Sequence, residues 1–396
     1  MIHASGDTIA AIATPRGRGG VGVIRISGDA VPSLLGPLLG KRPEPRHASF
    51  GGFLDDHGQA IDQGLALYFP APHSFTGEHV LELHAHGSPV VLDLLLERLI
   101  QLECRLARPG EFSERAFLNR KMDLAQAEAI ADLIDSATAA AARAAQRSLK
   151  GVFSEQIHAL VETLIELRLL IEAAIDFSDE EIDFLTEAKV MDQLKAMEKQ
   201  LASIRSMALK GQRLREGATL VLVGRPNAGK SSLLNQLAGE DRAIVTPIPG
   251  TTRDTLREAI QLEGIPLHII DTAGLRDDAT DPVEREGIQR TRAAIAVADL
   301  ILLMIDDNDV APDGALIDAL PDGIPMIFIH NKIDLSGNAA GRVPCDRGIK
   351  VRISLKSGDG IDDLLSVLTH QLGIEPEQEG AFTARRRHLE ALEEIG

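Results

Sequence analysis

Cysteine, aromatic residues and long apolar runs are all scarce in this chain, and each shortage removes a class of protein. The only cysteines are Cys104 and Cys345, far apart and without metal-type spacing, so they read as free thiols in a reducing cytosol. No run approaches the eighteen or so apolar residues that a membrane-crossing helix needs. Residues 1–13 carry no cluster of positive charge and no small-residue cleavage pattern, so no secretory signal is expected. Tryptophan is absent and aromatics make up 3% of the chain, which argues against base stacking on aromatic platforms. Lys and Arg number 41 against 59 Asp and Glu, for a formal net charge of −18. Such a chain binds RNA only through a local basic patch or with a partner's help.

What remains is 396 residues, 44% hydrophobic, enough for two or three domains with cores of their own. Residues 1–118 read as mixed α and β, strand-like at 21–26 and 61–69 and helical at 89–101. From about 122 to 214 the chain turns rich in alanine, leucine and glutamate. Stretches 124–149, 153–175 and 188–209 each carry apolar residues three and four apart and no proline, which predicts a helical bundle. After 218, short apolar runs (220–223, 267–270, 300–305, 326–329, 351–353) alternate with helix-like stretches, the pattern of a parallel α/β sheet. The tail 382–395 is again helix-prone and is expected to return to the bundle. The expected order is therefore an α+β domain (1–118), a first helical part (119–212), an inserted Ras-like α/β P-loop domain (213–375) and a second helical part (376–396).

Four short motifs give the α/β domain a chemistry. Residues 224–231 spell Gly-Arg-Pro-Asn-Ala-Gly-Lys-Ser, a phosphate loop placed between a strand and a helix. Backbone N–H groups of Asn227, Ala228 and Gly229 can close around phosphate oxygens, while Lys230 brings a point charge to the β- and γ-phosphates. Ser231 is placed to ligate Mg²⁺, with Ser232 beside it. Asp271, Thr272, Ala273 and Gly274 end the next predicted strand, where a carboxylate can hold Mg²⁺ through water and an N–H can sense the γ-phosphate. Asn331, Lys332 and Asp334 follow residues 326–329, and the Asp334 carboxylate matches guanine's N1–H and amino group, a pair adenine does not offer. Ser354 and Lys356 bracket a backbone N–H that can donate to guanine's carbonyl. All four lie at strand C-terminal ends, where open α/β sheets bind ligands. GTP is the expected substrate.

Small Ras-like GTPases orient the attacking water with a glutamine after the Asp-x-x-Gly glycine. Here that position is Leu275, so another group must act. Residues 248–254 (Ile-Pro-Gly-Thr-Thr-Arg-Asp) lie between the phosphate loop and Asp271 and read as a switch, with Thr252 completing Mg²⁺ coordination.

Residues 224–232, 250–254, 271–274 and 283–285 resemble the MnmE (TrmE) family of tRNA-modification GTPases, as do 15–28, 74–87, 107–118, 122–136 and 382–392. The resemblance spans nearly the whole chain. It implies a K⁺ ion held by Asn227, Thr246, Ile248 and Thr251, paired G domains, and Glu284 positioning water. It further implies an N-terminal domain that forms a homodimer and binds a tetrahydrofolate derivative through Arg25, Glu82 and Lys121. An FAD-dependent partner protein, tRNA as substrate and a cytoplasmic setting come with it. Members continue past 382–392 to a terminal motif with a cysteine, and neither Cys104 nor Cys345 holds that place. Ser178 stands where the family commonly has proline.

Two features point elsewhere. Residues 17–22 fit a Gly-x-Gly-x-x-Gly dinucleotide fingerprint, but a strand follows and not a helix, so NAD and FAD are rejected and a glycine turn is expected. His84 and His86 share a strand face, yet no third metal ligand is nearby. Two rival functions are a ribosome-assembly GTPase and a dynamin-like scaffold. The first lacks a recognisable RNA-binding appendage here, and the second lacks a basic or apolar membrane-facing segment.

Overall fold

A computed structural model describes residues 6–176, 187–237, 257–271, 295–296, 298–309, 323–345, 348–373 and 380–395. The chain divides into two compact units, Met1–Ile130 and Ala131–Gly396.

The first unit is built on six strands: β1 (Ile9–Ile12), β2 (Gly19–Ser27), β3 (Ser49–Leu54), β4 (Ala60–Phe69), β5 (Val80–Gly87) and β6 (Arg105–Leu106), in the order β3-β4-β5-β2-β1-β6. All neighbours are antiparallel except β1 and β6. Helices α1 (Val31–Leu39) and α2 (Pro89–Gln101) bury Leu34, Leu38, Leu95 and Leu99 with Ile24, Ile26, Leu81 and Leu83 of the sheet. The alternating strand pattern leaves Arg25, Glu82 and His84 off that core. The glycines at 19–22 form no turn. They open β2 through a register shift, and a side chain at Gly22 would run into Leu92 of α2. A short helix, α3 (Glu111–Leu118), is pinned by its first residue, Glu111. That carboxylate is buried and accepts from Arg105 Nη2 at 2.7 Å, Arg105 Nη1 at 3.1 Å and the Arg108 N–H at 2.7 Å.

The expected single helix over 124–149 is two, α4 (Leu124–Ile134) and α5 (Ala139–Leu149). The break has a local cause. Ser136 Oγ donates to the Leu133 carbonyl, and Thr138 caps α5 by accepting from the Ala141 N–H. The Thr138 hydroxyl also donates to the Gly264 carbonyl at 2.7 Å, fixing the start of α5 to the α/β domain. Helices α6 (Val152–Asp176) and α7 (Glu187–Glu216) complete the first helical part.

The sheet that follows has seven strands: β7 (Ala218–Gly224), β8 (Arg257–Leu262), β9 (Ile265–Asp271), β10 (Leu300–Asp306), β11 (Met326–Asn331), β12 (Gly341–Cys345) and β13 (Gly348–Arg352). Their order is β12-β13-β11-β10-β7-β9-β8. Five inner strands are parallel as expected, but β8 and β12 are antiparallel edges that sequence periodicity did not indicate. Helices α8 (Lys230–Leu237) and α9 (Ile361–Gln371) pack on it.

The chain then returns to the helices. Residues 381–384 are buried outside any helix or strand, and the last helix, α10, spans Arg386–Ile395, starting later than the expected 382. The Phe382 ring lies tilted against that of Phe153 with centroids 5.0 Å apart, and Thr383 bonds to Ser148 at 3.0 Å. A side chain at Gly211 of α7 would collide with the Phe382 carbonyl. The α/β domain is thus inserted into a helical layer.

Candidate nucleotide-binding site

β7 ends at Gly224 and α8 begins at Lys230, so the phosphate-type loop lies between a buried central strand and a helix N-terminus. Asn227 takes φ 65° and Gly229 φ 109°. Asparagine tolerates the first conformation. The second belongs to glycine, and a side chain there would strike the Asn331 amide. Lys230 curls over the loop, its Nζ donating to the Gly224 carbonyl at 2.6 Å and the Arg225 carbonyl at 3.0 Å. Ala228 is buried, whereas Asn227, Ser231 and Ser232 are exposed at the rim.

The Asn331 side chain joins this loop to its neighbour. Nδ2 donates to the Ala228 carbonyl at 2.9 Å, and Oδ1 accepts from the Leu355 N–H at 3.2 Å. A buried amide with both ends engaged is a strut, a role its place in the sequence did not reveal. Ser354, also buried, donates to Asp334 Oδ1 at 2.8 Å, while Asp334 stays exposed. Lys356, two residues after Ser354, is exposed. Lys332 adopts φ 69° and places Nζ 2.6 Å from Asp306 Oδ2. Burial pushes the Asp306 carboxyl upward, but the Lys332 ammonium and Asn308 outweigh it and hold the group below the usual carboxylate range.

Asp307, next in line, was not anticipated. It accepts from Ser336 Oγ at 2.5 Å and Asn338 Nδ2 at 2.7 Å, and lies 3.0 Å from His330 Nδ1. Burial opposes its ionisation, and these donors overcome it, leaving the carboxyl below its ordinary value. Burial and the Lys350 charge keep His330 below the ordinary imidazole range. The available signal was an acidic pair directly after the apolar strand β10.

Asp271 closes β9 beside Leu222 of β7. Thr246, Ile248, Thr251, Thr252, Thr272, Ala273, Gly274 and Glu284 lie outside the described residues, as does Ser178.

In the N-terminal unit Arg25 and Glu82 are register partners on β2 and β5, with Arg25 Nε and Nη2 both 2.8 Å from Glu82 Oε1. The guanidinium lies 5.3 Å from the Phe75 ring centroid and 5.8 Å from that of Phe112. Lys121 Nζ donates to the Pro72 carbonyl at 3.2 Å, and its stem packs on Gly77, so it borders the same loop that carries Phe75. His84 Nε2 stands 3.6 Å from Glu82 Oε2, whereas His86 Nδ1 is bound to Asp62 at 2.8 Å.

Residues 8–121 match the family described as GTP-binding protein TrmE N-terminus, and residues 124–396 the one described as MnmE helical domain. The tRNA modification GTPase MnmE of Methylococcus capsulatus is 58% identical over 98% of this chain and 86% of its own length. The chain belongs to the MnmE family. It is accordingly a P-loop GTP hydrolase. A second MnmE relative, from Laribacter hongkongensis, is 56% identical over 98% of this chain and 86% of its own. A solved structure of Aquifex aeolicus Era aligns over 44% of this chain and 64% of its own at 25% identity, with a TM-score of 0.31, too low to argue from. Among the described residues no helix is long and apolar enough to cross a membrane.

Proposed function

We propose that this GTPase depends on K⁺ and Mg²⁺ and acts with an FAD-dependent partner in modifying tRNA. The product is a 5-carboxymethylaminomethyl-type group on the wobble uridine, with a tetrahydrofolate derivative (5-formyl or methylene) supplying the one-carbon unit. The reading is supported by the name its relatives share and carried by one observation: the Asn331 strut that ties the phosphate-type loop to the 354–356 loop at the sheet's C-terminal edge. Asp334, oriented by Ser354, selects guanine, and Lys230 faces the β- and γ-phosphates.

Exposed oxygen donors at the loop rim suit hard cations. Ser231 would hold Mg²⁺ with Thr252, and Asn227 would hold K⁺ with oxygens of Thr246, Ile248 and Thr251. A monovalent cation there offsets negative charge developing between the β- and γ-phosphates. Glu284 orients the attacking water in place of the absent glutamine. In the N-terminal unit, a guanidinium flanked by two rings and a carboxylate suits a flat heteroaromatic with an anionic tail. Arg25, Glu82 and Lys121 would hold the folate there, in a cytoplasmic homodimer joined through this domain.

GTP turnover in KCl against NaCl at matched ionic strength tests the cation. The expected advantage is tenfold or more, on the order of one lost charge stabiliser, and equal rates would remove it. Glu284→Ala should slow turnover roughly 10²-fold, as for a lost water-orienting group, and leave GTP affinity in place. A parallel loss of affinity would reject the role.

A further inference from the structure

The tRNA reading leaves an electrostatic problem, because the chain carries a formal charge of −18. The sign is not evenly spread. Residues 136–154, 199–215 and 380–389 hold 11 of the 41 Lys and Arg and none of the 59 Asp and Glu. These segments are far apart in sequence, yet they supply α5, the second half of α7 and the start of α10 in one helical layer.

Part of this charge serves the fold. Arg205 pairs with Glu393, Arg215 with Asp132 and Arg386 with Glu390. The stripe on α5 is different. Arg143, Arg147 and Lys150 are spaced four and three apart, opposite the buried Ala141, Ala144, Ala145 and Ser148. Arg143 and Lys150 are exposed, and among the described residues neither makes an ion pair. Arg147 Nε donates to the Ala381 carbonyl, which ties the return segment to α5 without removing the Arg147 charge. Burial and, after it, the Arg143 charge depress the Arg147 guanidinium.

We propose that this stripe of α5, Arg143, Arg147 and Lys150, is a phosphate-backbone contact for RNA. The inference rests on the tRNA reading and locates where the RNA lies. Arginine dominates the set, and its planar fork suits phosphate oxygens. No aromatic residue stands in the stripe, so the surface grips the backbone and does not read bases. An apolar rim for a lipid surface is also lacking on that side of α5, where Ala142 and Gln146 flank the charges.

The test uses the full chain and unmodified tRNA, with binding measured across a salt series. The double variant Arg143→Ala/Lys150→Ala should weaken binding about tenfold at low salt and flatten the plot of log K against log salt by about 1–2. GTP turnover without tRNA should stay unchanged, since neither residue touches the nucleotide loops. Arg143→Lys/Lys150→Arg should keep affinity and slope. Wild-type binding that the alanine variant matches in affinity and slope would overturn the surface while leaving the tRNA reading standing. Absence of any wild-type binding would sink both. Vesicles of anionic lipid that bind the wild type but not the alanine variant, with tRNA binding unaffected, would make this a membrane contact and reject the proposal.

Discussion

In the N-terminal unit Glu111 accepts from the guanidinium of Arg105 and from the Arg108 N–H, while in the second unit Asp307 accepts from a serine, an asparagine and a histidine. Both carboxylates are buried, and both titrate below their ordinary range. Their partners differ in reach. Arg105 and Arg115 also hold Asp7, about a hundred residues away, so the Glu111 cluster fixes which segments meet. Among the described residues, every side-chain hydrogen-bond donor to Asp307 comes from residues 330–338, with Arg352 Nε of β13 farther off at 3.9 Å, so Asp307 chiefly shapes one loop. Charged donors join distant segments in the first cluster, and neutral ones shape a single turn in the second.

The hardest blow to that contrast falls on the ligand side. Asp334→Ala should reduce the preference for GTP over ATP by about 100-fold or more, because a site built to accept two guanine hydrogen bonds discriminates strongly. Competition binding would show it, and an undiminished preference would deny that this loop reads the base. On the scaffold side, Glu111→Gln should cost the N-terminal unit about 3 kcal/mol, the scale of a buried ion pair missing one partner. Hydrogen bonding from Arg105 outweighs burial and holds Glu111 at about 2. A depressed carboxyl contributes stability above its ordinary value of about 4.3 and loses it as the pH falls toward 2. The variant should therefore show a shallower loss of denaturation midpoint between pH 5 and pH 2.5. A smaller effect is expected of Asp307→Asn: about tenfold weaker GTP binding, one to two lost hydrogen bonds' worth, with the N-terminal unit's stability untouched. Smallest of all is a difference in thiol labelling. Burial pushes the Cys104 thiol up to about 11, so it should react far more slowly than the partly exposed Cys345, and equal rates would show that the N-terminal core opens readily.

Much of this could be read before any coordinates. Strands β7, β10 and β11 each contain an unbroken apolar run, the mark of a strand covered on both faces, and each was found where expected. The edges β8 and β12 were missed because Arg257, Glu258, Gln261 and Arg342 interrupt them, as is tolerable only where one side lacks a strand partner. The break between α4 and α5 was written in Ser136 and Thr138, but alanine on either side masked it. The predicted nucleotide residues that are described lie at or just beyond strand C-terminal ends, where spacing put them. Spacing did not show that Asn331 would spend both ends of its amide on neighbouring loops, because that depends on how closely Gly229 approaches. Nor could any local pattern pair Arg105 and Arg115 with Asp7.

Arg213, close to the end of α7, donates to the carbonyl of Gly373 at 3.0 Å, just past α9. The chain leaves the helical layer and comes back to it through almost the same point. In genetic terms the α/β domain is a cassette: a short splice between those positions would restore an uninterrupted helical chain, and a G domain of different length could be set in the same gap without moving either stalk.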